Sequence, residues 1–301
     1  MTLAPDPARP LRSVLYMPAS NPRAIAKARG LDADAIALDL EDAVAPEAKG
    51  DARAALVAEA RAGGFGHRLL IARINALDTP WGADDLAALA AAPIDVLLVP
   101  KIIDEREIAE ISTAMDRAGY APHVALWVMI ETPRAVLAIE RIAAMGATTR
   151  LSGLMLGLND LAKDTGMVQA PGRAAFLPVL VQCVLAARAF GLIAMDGVCN
   201  AITDPDRLGE ECRTARDLGF DGKTLIHPAQ IAIANTVFAP DPVALADARA
   251  VVAAFAVPAN AGRGALKVDG RMVELLHRDM AAALIARADA IAARRPDNHE
   301  R

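Results

Sequence analysis

Residues 124–160 read VALWVMIETPRAVLAIERIAAMGATTRLSGLMLGLND. The two apolar runs in it, 124–130 and 151–156, are short and show no polar alternation. Such runs are strands covered on both faces, as in a parallel sheet. Between them, 133–145 spaces its apolar residues as a helix does, with a Thr132–Pro133 start and a Gly146 stop. The stretch is one strand–helix–strand unit, and a carboxylate follows each strand: Glu131 after the first, Asp160 after the second.

The same alternation continues in both directions. Strands are predicted at 12–17, 35–40, 69–74, 96–99, 124–130, 151–156, 192–195 and 222–226. Helices are predicted at 22–31, 47–62, 104–118, 133–145, 173–190 and 204–218, among others. About eight strand–helix repeats predict an α/β chain folded as a closed (β/α)₈ TIM barrel. An open doubly wound sheet is the other architecture of this pattern, and it loses ground because no G-x-G-x-x-G follows the first strand. The catalytic barrel is assigned to 1–256, its eighth helical region running on through 242–255. Residues 257–264 read as a linker, 269–292 as a helix and 294–301 as a frayed tail, so that 257–301 form a C-terminal helical extension.

Composition narrows the function. The chain has 301 residues, 54% of them apolar, enough for a large core. No apolar run is both long and uncharged enough to span a bilayer, and the Pro-rich stretch 1–11 lacks the form of a secretory signal. A soluble, cytoplasmic protein without membrane contact is expected. Formal net charge is −5 and basic residues are scattered, so nucleic acid is excluded as a partner. Cys183, Cys199 and Cys212 form no C-x-x-C pair and read as small apolar fillers in a reducing compartment.

Charged groups gather where the predicted strands end: Asp39, Glu41 and Asp42; Arg73 and Asn75; Lys101; Glu131; Asn159 and Asp160; Asp196; and His227. In a barrel these ends share one face, which is where barrel enzymes carry their chemistry. Glu131 and Asp160 end adjacent strands and can converge on one ion; oxygen ligands of this kind suit Mg²⁺, and the alternative is that each caps the helix after it. Asp39 and Glu41 are two apart and share a strand face, within outer-shell reach of a metal, while Asp42 is expected to point away toward a neighbouring Arg. Arg73 offers a bidentate fork to a substrate carboxylate. Lys101 brings positive charge to the same mouth, with ion pairing to nearby acids as its other reading. Ser20, Asn21 and Arg23 after the first strand can bind a phosphate or carboxylate, or serve as a helix cap. His227, before Pro228, reads as a turn-former rather than a base.

The stretches RSVLYMPASNPRAIAKA, ALDLEDAVAPEAK, RINALDTPWGADDL, LLVPKI, IETPRAV, LGLNDLAKD, DGV and GKTLIHPAQI occur in order from Arg12 onward. Together they resemble the citrate lyase β-subunit-like branch of the HpcH/HpaI aldolase superfamily, which includes malyl-CoA and citramalyl-CoA lyases. The resemblance implies a (β/α)₈ barrel whose C-terminal extension can cover a neighbouring subunit's site, in trimers or hexamers. It implies Mg²⁺ on Glu131 and Asp160, a substrate carboxylate on Arg73, outer-shell acids at Asp39 and Glu41, and the thioester carrier near Arg23. The chain departs from the pattern at Ala19, where relatives often have Gly, and at Glu274, where V-D-G-K-M-I-D in relatives places an Asp proposed as acid/base. Asp269 is a second candidate for that role. The implied reaction is Mg²⁺-dependent cleavage, or formation, of a 3-hydroxy-acid thioester such as malyl-, citramalyl- or citryl-CoA. A CoA-free aldolase on pyruvate-type acids, a citrate lyase β subunit using an acyl carrier protein, and a non-catalytic carboxylate binder are the competing readings.

Overall fold

The computed structural model describes residues 9–294, which fall into two compact units, 11–238 and 239–294, the second including residues 9 and 10. In the first unit eight parallel strands close on themselves: β1 (Ser13–Pro18), β2 (Ala35–Asp39), β3 (Leu69–Arg73), β4 (Val96–Val99), β5 (Ala125–Ile130), β6 (Leu151–Leu156), β7 (Ile193–Asp196) and β8 (Gly222–Leu225). Pairing of β1 with β8 completes the barrel. Around it run α1 (Pro22–Ala28), α2 (Lys49–Ala62), α3 (Gly82–Leu89), α4 (Glu105–Ala118), α5 (Pro133–Ala144), α6 (Leu158–Thr165), α7 (Leu177–Ala189), α8 (Pro205–Leu218) and α9 (Ile231–Phe238).

Alternate residues of each strand separate two apolar layers. Val14, Ala37, Ile71, Leu98, Trp127, Met155 and Met195 belong to one buried cluster, which fills the barrel. Leu15, Leu38, Ala72, Val128 and Ala194 point the other way, into the layer beneath the helices. α4 shows how a helix is fitted to that layer. Asp104 accepts a hydrogen bond from the Arg106 N–H at its start, Ile108, Ile111, Ser112 and Met115 lie on one buried face, and Gly119 closes it at φ 84°. Such a cap contributes about 1 kcal/mol, and each buried Ile or Met about 1.5–3 kcal/mol.

Pro171–Ala189 matches a bilayer span in length and composition, against the expectation that no run would. It is not one regular helix: Gly172 and Arg173, at φ 76° and 53°, kink it before α7 begins. The buried Arg173 guanidinium is paired with Asp196, which a lipid-facing segment could not provide.

The second unit corrects two sequence expectations. Residues 242–255 do not close the barrel, a task taken by α9, which packs on β1 and β8. They form α10 (Pro242–Ala256), started by Asp241 and packed on α11 (Leu275–Ala292). Nor does a helix begin at 269. β9 (Ala265–Val268) and β10 (Arg271–Glu274) are an antiparallel hairpin turning at Asp269 and Gly270, both at positive φ. Asp-Gly favours this two-residue turn. Leu266 and Val273 bury one hairpin face with Ala248, Val251 and Ala281. The 295–301 part of the expected tail lies outside the described residues.

Candidate active site

The C-terminal strand ends enclose a cleft of about 310 Å³ lined by Tyr16, Asp39, Asp42, Arg73, Glu131 and Asp160, among others. Its first half is built on Arg73. The β2–β3 register sets Asp39 beside Arg73, and the Arg73 Nε and Nη2 donate to Asp39 Oδ1 and Oδ2 at 2.7 Å each. Asp39 also accepts the backbone N–H groups of Glu41 and Ala43, so its carboxylate is spent on orienting the guanidinium. Nη1 is left, 2.8 Å from Glu41 Oε2 and 3.2 Å from the exposed Asp42. The Tyr16 ring lies 4.8 Å from the guanidinium carbon, and its hydroxyl donates to Met155 Sδ at 3.0 Å. Burial raises the Tyr16 pKa despite Arg73, so the phenol stays protonated.

The second half is a carboxylate pair. Glu131 is fully buried. Its Oε1 accepts the Lys101 backbone N–H at 2.8 Å, while its Oε2 is buried without a hydrogen-bond partner. A Cβ on Gly157 would lie 2.2 Å from that Oε2, so only glycine leaves room for the Glu131 side chain. Asp160 stands in the first turn of α6. Lys101 Nζ lies between the two, 2.5 Å from Asp160 Oδ1 and 3.5 Å from Glu131 Oε1, with Glu41 Oε1 at 3.9 Å. Burial raises the Glu131 pKa, opposed by Lys101. Burial, opposed by Arg73 and reinforced by Glu131, pushes Glu41 up to about 8.

These residues fit a hard divalent cation. Five carboxyl groups (Asp39, Glu41, Asp42, Glu131 and Asp160) face two cations (Arg73 and Lys101), so that even with Glu41 protonated negative charge is in excess in this partly desolvated region. All the donors are oxygens, and two of them, Glu131 Oε2 and the ion-paired Glu41 Oε2, are buried without a hydrogen-bond partner. Among the described residues no group of three or more His, Cys, Asp or Glu is arranged as a complete metal cage. The oxygen donors suit Mg²⁺, which keeps water and substrate oxygens in its shell.

Several sequence expectations are now settled in geometry. Thr132, not Glu131, caps α5, its side chain accepting the Ala135 N–H. Asp42 does pair with a neighbouring Arg, as expected, but it does not point away: it lies past the end of β2, where strand alternation no longer holds, and shares Arg73 with Asp39 and Glu41. Lys101 sits with the acids. His227 caps the 3₁₀ turn at Pro228–Gln230, Nδ1 accepting from Ala229. Asn21 caps α1, and Ser20, Asn21 and Arg23 are exposed and outside the cleft lining. Asn75 is turned to Asp85. Asp196 faces outward, bonded to Lys223 and Arg173, because Met195 takes the inward position of β7. In the second unit Glu274 caps α11, its carboxylate accepting the His277 N–H and its own N–H donating to His277 Nδ1. All three cysteines are buried and free. Tyr16 and Thr224 line the cleft unanticipated; both follow from strand parity, Tyr16 lying two residues after the inward Val14.

A barrel whose mouth joins a carboxylate pair to an oriented guanidinium defines a class, and the chain belongs to the HpcH/HpaI aldolase/citrate lyase family, whose model matches residues 12–228. It is 46% identical over 286 residues to a (3S)-malyl-CoA thioesterase of Cereibacter sphaeroides, covering 95% of this chain and 97% of that one. It is 33% identical over 317 residues to an L-malyl-CoA/beta-methylmalyl-CoA lyase of the same organism, covering 96% and 98%. Among solved structures it is similar to CitE from Mycobacterium tuberculosis in complex with magnesium, acetoacetate and coenzyme A. That match has a TM-score of 0.74 and 33% identity, over 94% of this chain and 100% of that one.

Proposed function

We propose that this chain is a Mg²⁺-dependent carbon–carbon lyase acting on a malyl-type CoA thioester, held by its free carboxylate and hydroxyl in the barrel mouth. The observation that carries the reading is the pairing of a partnerless buried Glu131 oxygen and Asp160 with an Arg73 whose Nη1 faces the same cleft. Glu131 and Asp160 would hold the metal, which supplies Lewis-acid polarisation of the substrate hydroxyl and carboxylate oxygens. Arg73, kept in plane by Asp39, receives the substrate carboxylate at Nη1 in place of Asp42. Glu41, in its deprotonated form, is assigned the hydroxyl proton. As that proton leaves, the carbinol carbon becomes the carbonyl of a 2-oxo acid, and its bond to the thioester α-carbon breaks. The electron pair passes into a thioester enolate beside the Lys101 and Arg73 charges. The enolate carbon then gains a proton, assigned to Glu274 of a neighbouring copy's C-terminal unit. A trimeric or hexameric assembly belongs to the same proposal, as does a thioester carrier running past Ser20, Asn21 and Arg23.

A second reading, hydrolysis of the same thioester to a hydroxy acid and free CoA, is favoured by the likeness to the (3S)-malyl-CoA thioesterase. The test is turnover of malyl-, citramalyl- and citryl-CoA with Mg²⁺ or EDTA, measuring 2-oxo acid and free thiol in the same reaction. Oxo acid formed without thiol, and abolished by EDTA, is expected. Thiol with no oxo acid selects hydrolysis. Turnover of free pyruvate-type acids, with every CoA thioester inert, overturns both.

A further inference from the structure

Behind the cleft, between the barrel and its helices, lies a group of buried charges that the proposed chemistry does not use. Asp196, at the end of β7, and Lys223, paired with it near the start of β8, are fully buried, and Arg173 and Glu211 nearly so. Lys223 Nζ is 2.7 Å from Asp196 Oδ2 and 3.2 Å from Glu211 Oε2; Arg173 Nη1 is 2.8 Å from Asp196 Oδ1. Taking such charges out of water costs several kcal/mol per ion, so apolar side chains would stabilise this layer at least as well.

What the charges hold is the Asp196–Gly197 dipeptide. Lys223 Nζ donates to Gly197 O at 2.7 Å, Asp196 Oδ1 accepts the Gly197 N–H at 2.9 Å, and Thr224 Oγ1 donates to Asp196 O at 2.8 Å. Gly197 in turn abuts the β6–α6 turn. A Cβ at this position would lie 2.9 Å from Leu158 Cγ and 3.1 Å from Leu156 O. Leu156 and Leu158 flank Gly157, which accommodates Glu131, and Leu158 is two residues before Asp160. The loop after Gly197 grips the same turn from the other side, Asn200 Nδ2 donating to Asn159 Oδ1 at 2.7 Å.

We propose that Lys223 and Gly197 are positioning residues: the buried ion network fixes the end of β7 as a backstop that seats the β6–α6 turn and so sets where the Asp160 carboxylate stands relative to Glu131. The inference rests on the reading of Asp160 as a metal ligand. Its test is a Mn²⁺ titration of the full chain, followed by electron paramagnetic resonance, on wild type, Gly197→Ala, Lys223→Met, Asp160→Asn and the Gly197→Ala/Asp160→Asn double variant. Gly197→Ala leaves every member of the ion network in place and keeps the test alive if Lys223→Met does not fold. Gly197→Ala is expected to weaken Mn²⁺ about 10–100-fold, the usual cost of losing ligand support. It is expected to add little to Asp160→Asn, since both act through one carboxylate. Wild-type affinity in Gly197→Ala, with Asp160→Asn impaired, overturns the positioning role alone; so does full additivity in the double variant. Wild-type affinity in Asp160→Asn removes the metal reading itself, and this inference with it.

Discussion

Gly157→Ala is the most direct way to ask whether the Glu131 pocket works as described. The new methyl carbon would lie 2.2 Å from Glu131 Oε2, 2.6 Å from Glu131 Cβ and 3.1 Å from Cδ. Carbon atoms pack at about 3.5–4.0 Å, so the contact with Cβ is short by roughly an ångström. Turning the carboxylate away relieves the first contact but not the second, because Cβ is fixed to the backbone of the β5 end. The strands there are joined by the Gly157 N–H donating to Ile130 O at 3.2 Å, so they cannot part without straining that link. Overpacking of this kind costs about 1–3 kcal/mol. At roughly 2–4 °C per kcal/mol for a domain of this size, the melting temperature should fall by several degrees. Displacing Glu131 should also weaken Mg²⁺ by at least tenfold. Thermal unfolding without metal and calorimetric Mg²⁺ titration measure the two effects separately. The swap Glu131→Gly/Gly157→Ala should regain most of the lost stability and none of the metal affinity. A Gly157→Ala protein that melts within a degree of wild type and binds Mg²⁺ equally well would refute the steric reasoning.

Glu131→Gln and Asp160→Asn should each abolish turnover while the protein stays folded; either variant retaining wild-type rate and Mg²⁺ affinity shows that the metal lies elsewhere. Arg73→Lys keeps the charge but loses the fork held by Asp39, so kcat/KM should drop at least tenfold on every accepted thioester; unchanged kinetics would take Arg73 out of the site. Glu274→Gln, compared with Asp269→Asn, should slow exchange of the acetyl protons with deuterated water; if only Asp269→Asn does so, Asp269 is the base. Metal-free protein should show the raised pKa of Glu41 as a pH effect on stability. The folded-state value of about 8 lies above the ordinary 4.5, so the Glu41 contribution is complete below about 4.5 and is lost as pH rises through 8. Glu41→Gln should therefore gain in melting temperature relative to wild type between pH 5 and 9, and a constant difference across that range would contradict the assignment.

The barrel was legible because its strands are apolar on both faces; predicted and observed strands agree to within about a residue at either end. Glu131, Asp160, Arg73, Asp39 and Glu41 were legible as a set because each ends a strand or stands within four residues of a strand's end, at the face where such ends meet. What escaped was direction. Asp196 looked equivalent to Glu131, yet Glu131 continues the inward series Trp127 and Met129, whereas Asp196 follows the inward Met195 and must turn outward. The same count would have brought in Tyr16. Asp42 escaped for the opposite reason, since alternation was carried past the end of the strand. In the C-terminal unit, the Asp269–Gly270 turn signal was present, but the Ala- and Leu-rich helix behind it dominated the reading.

The ammonium of Lys101 between Asp160 and Glu131 has a bearing on how this enzyme is made and maintained. A small zinc domain stays unfolded until its ion arrives, because nothing else offsets the repulsion and burial of its ligands. Here a tethered cation two residues past β4 performs that service from within the chain. On the reading of Glu131 and Asp160 as the metal ligands, the barrel then needs no ion to finish folding, and the proposed cofactor is an exchangeable guest rather than a structural part.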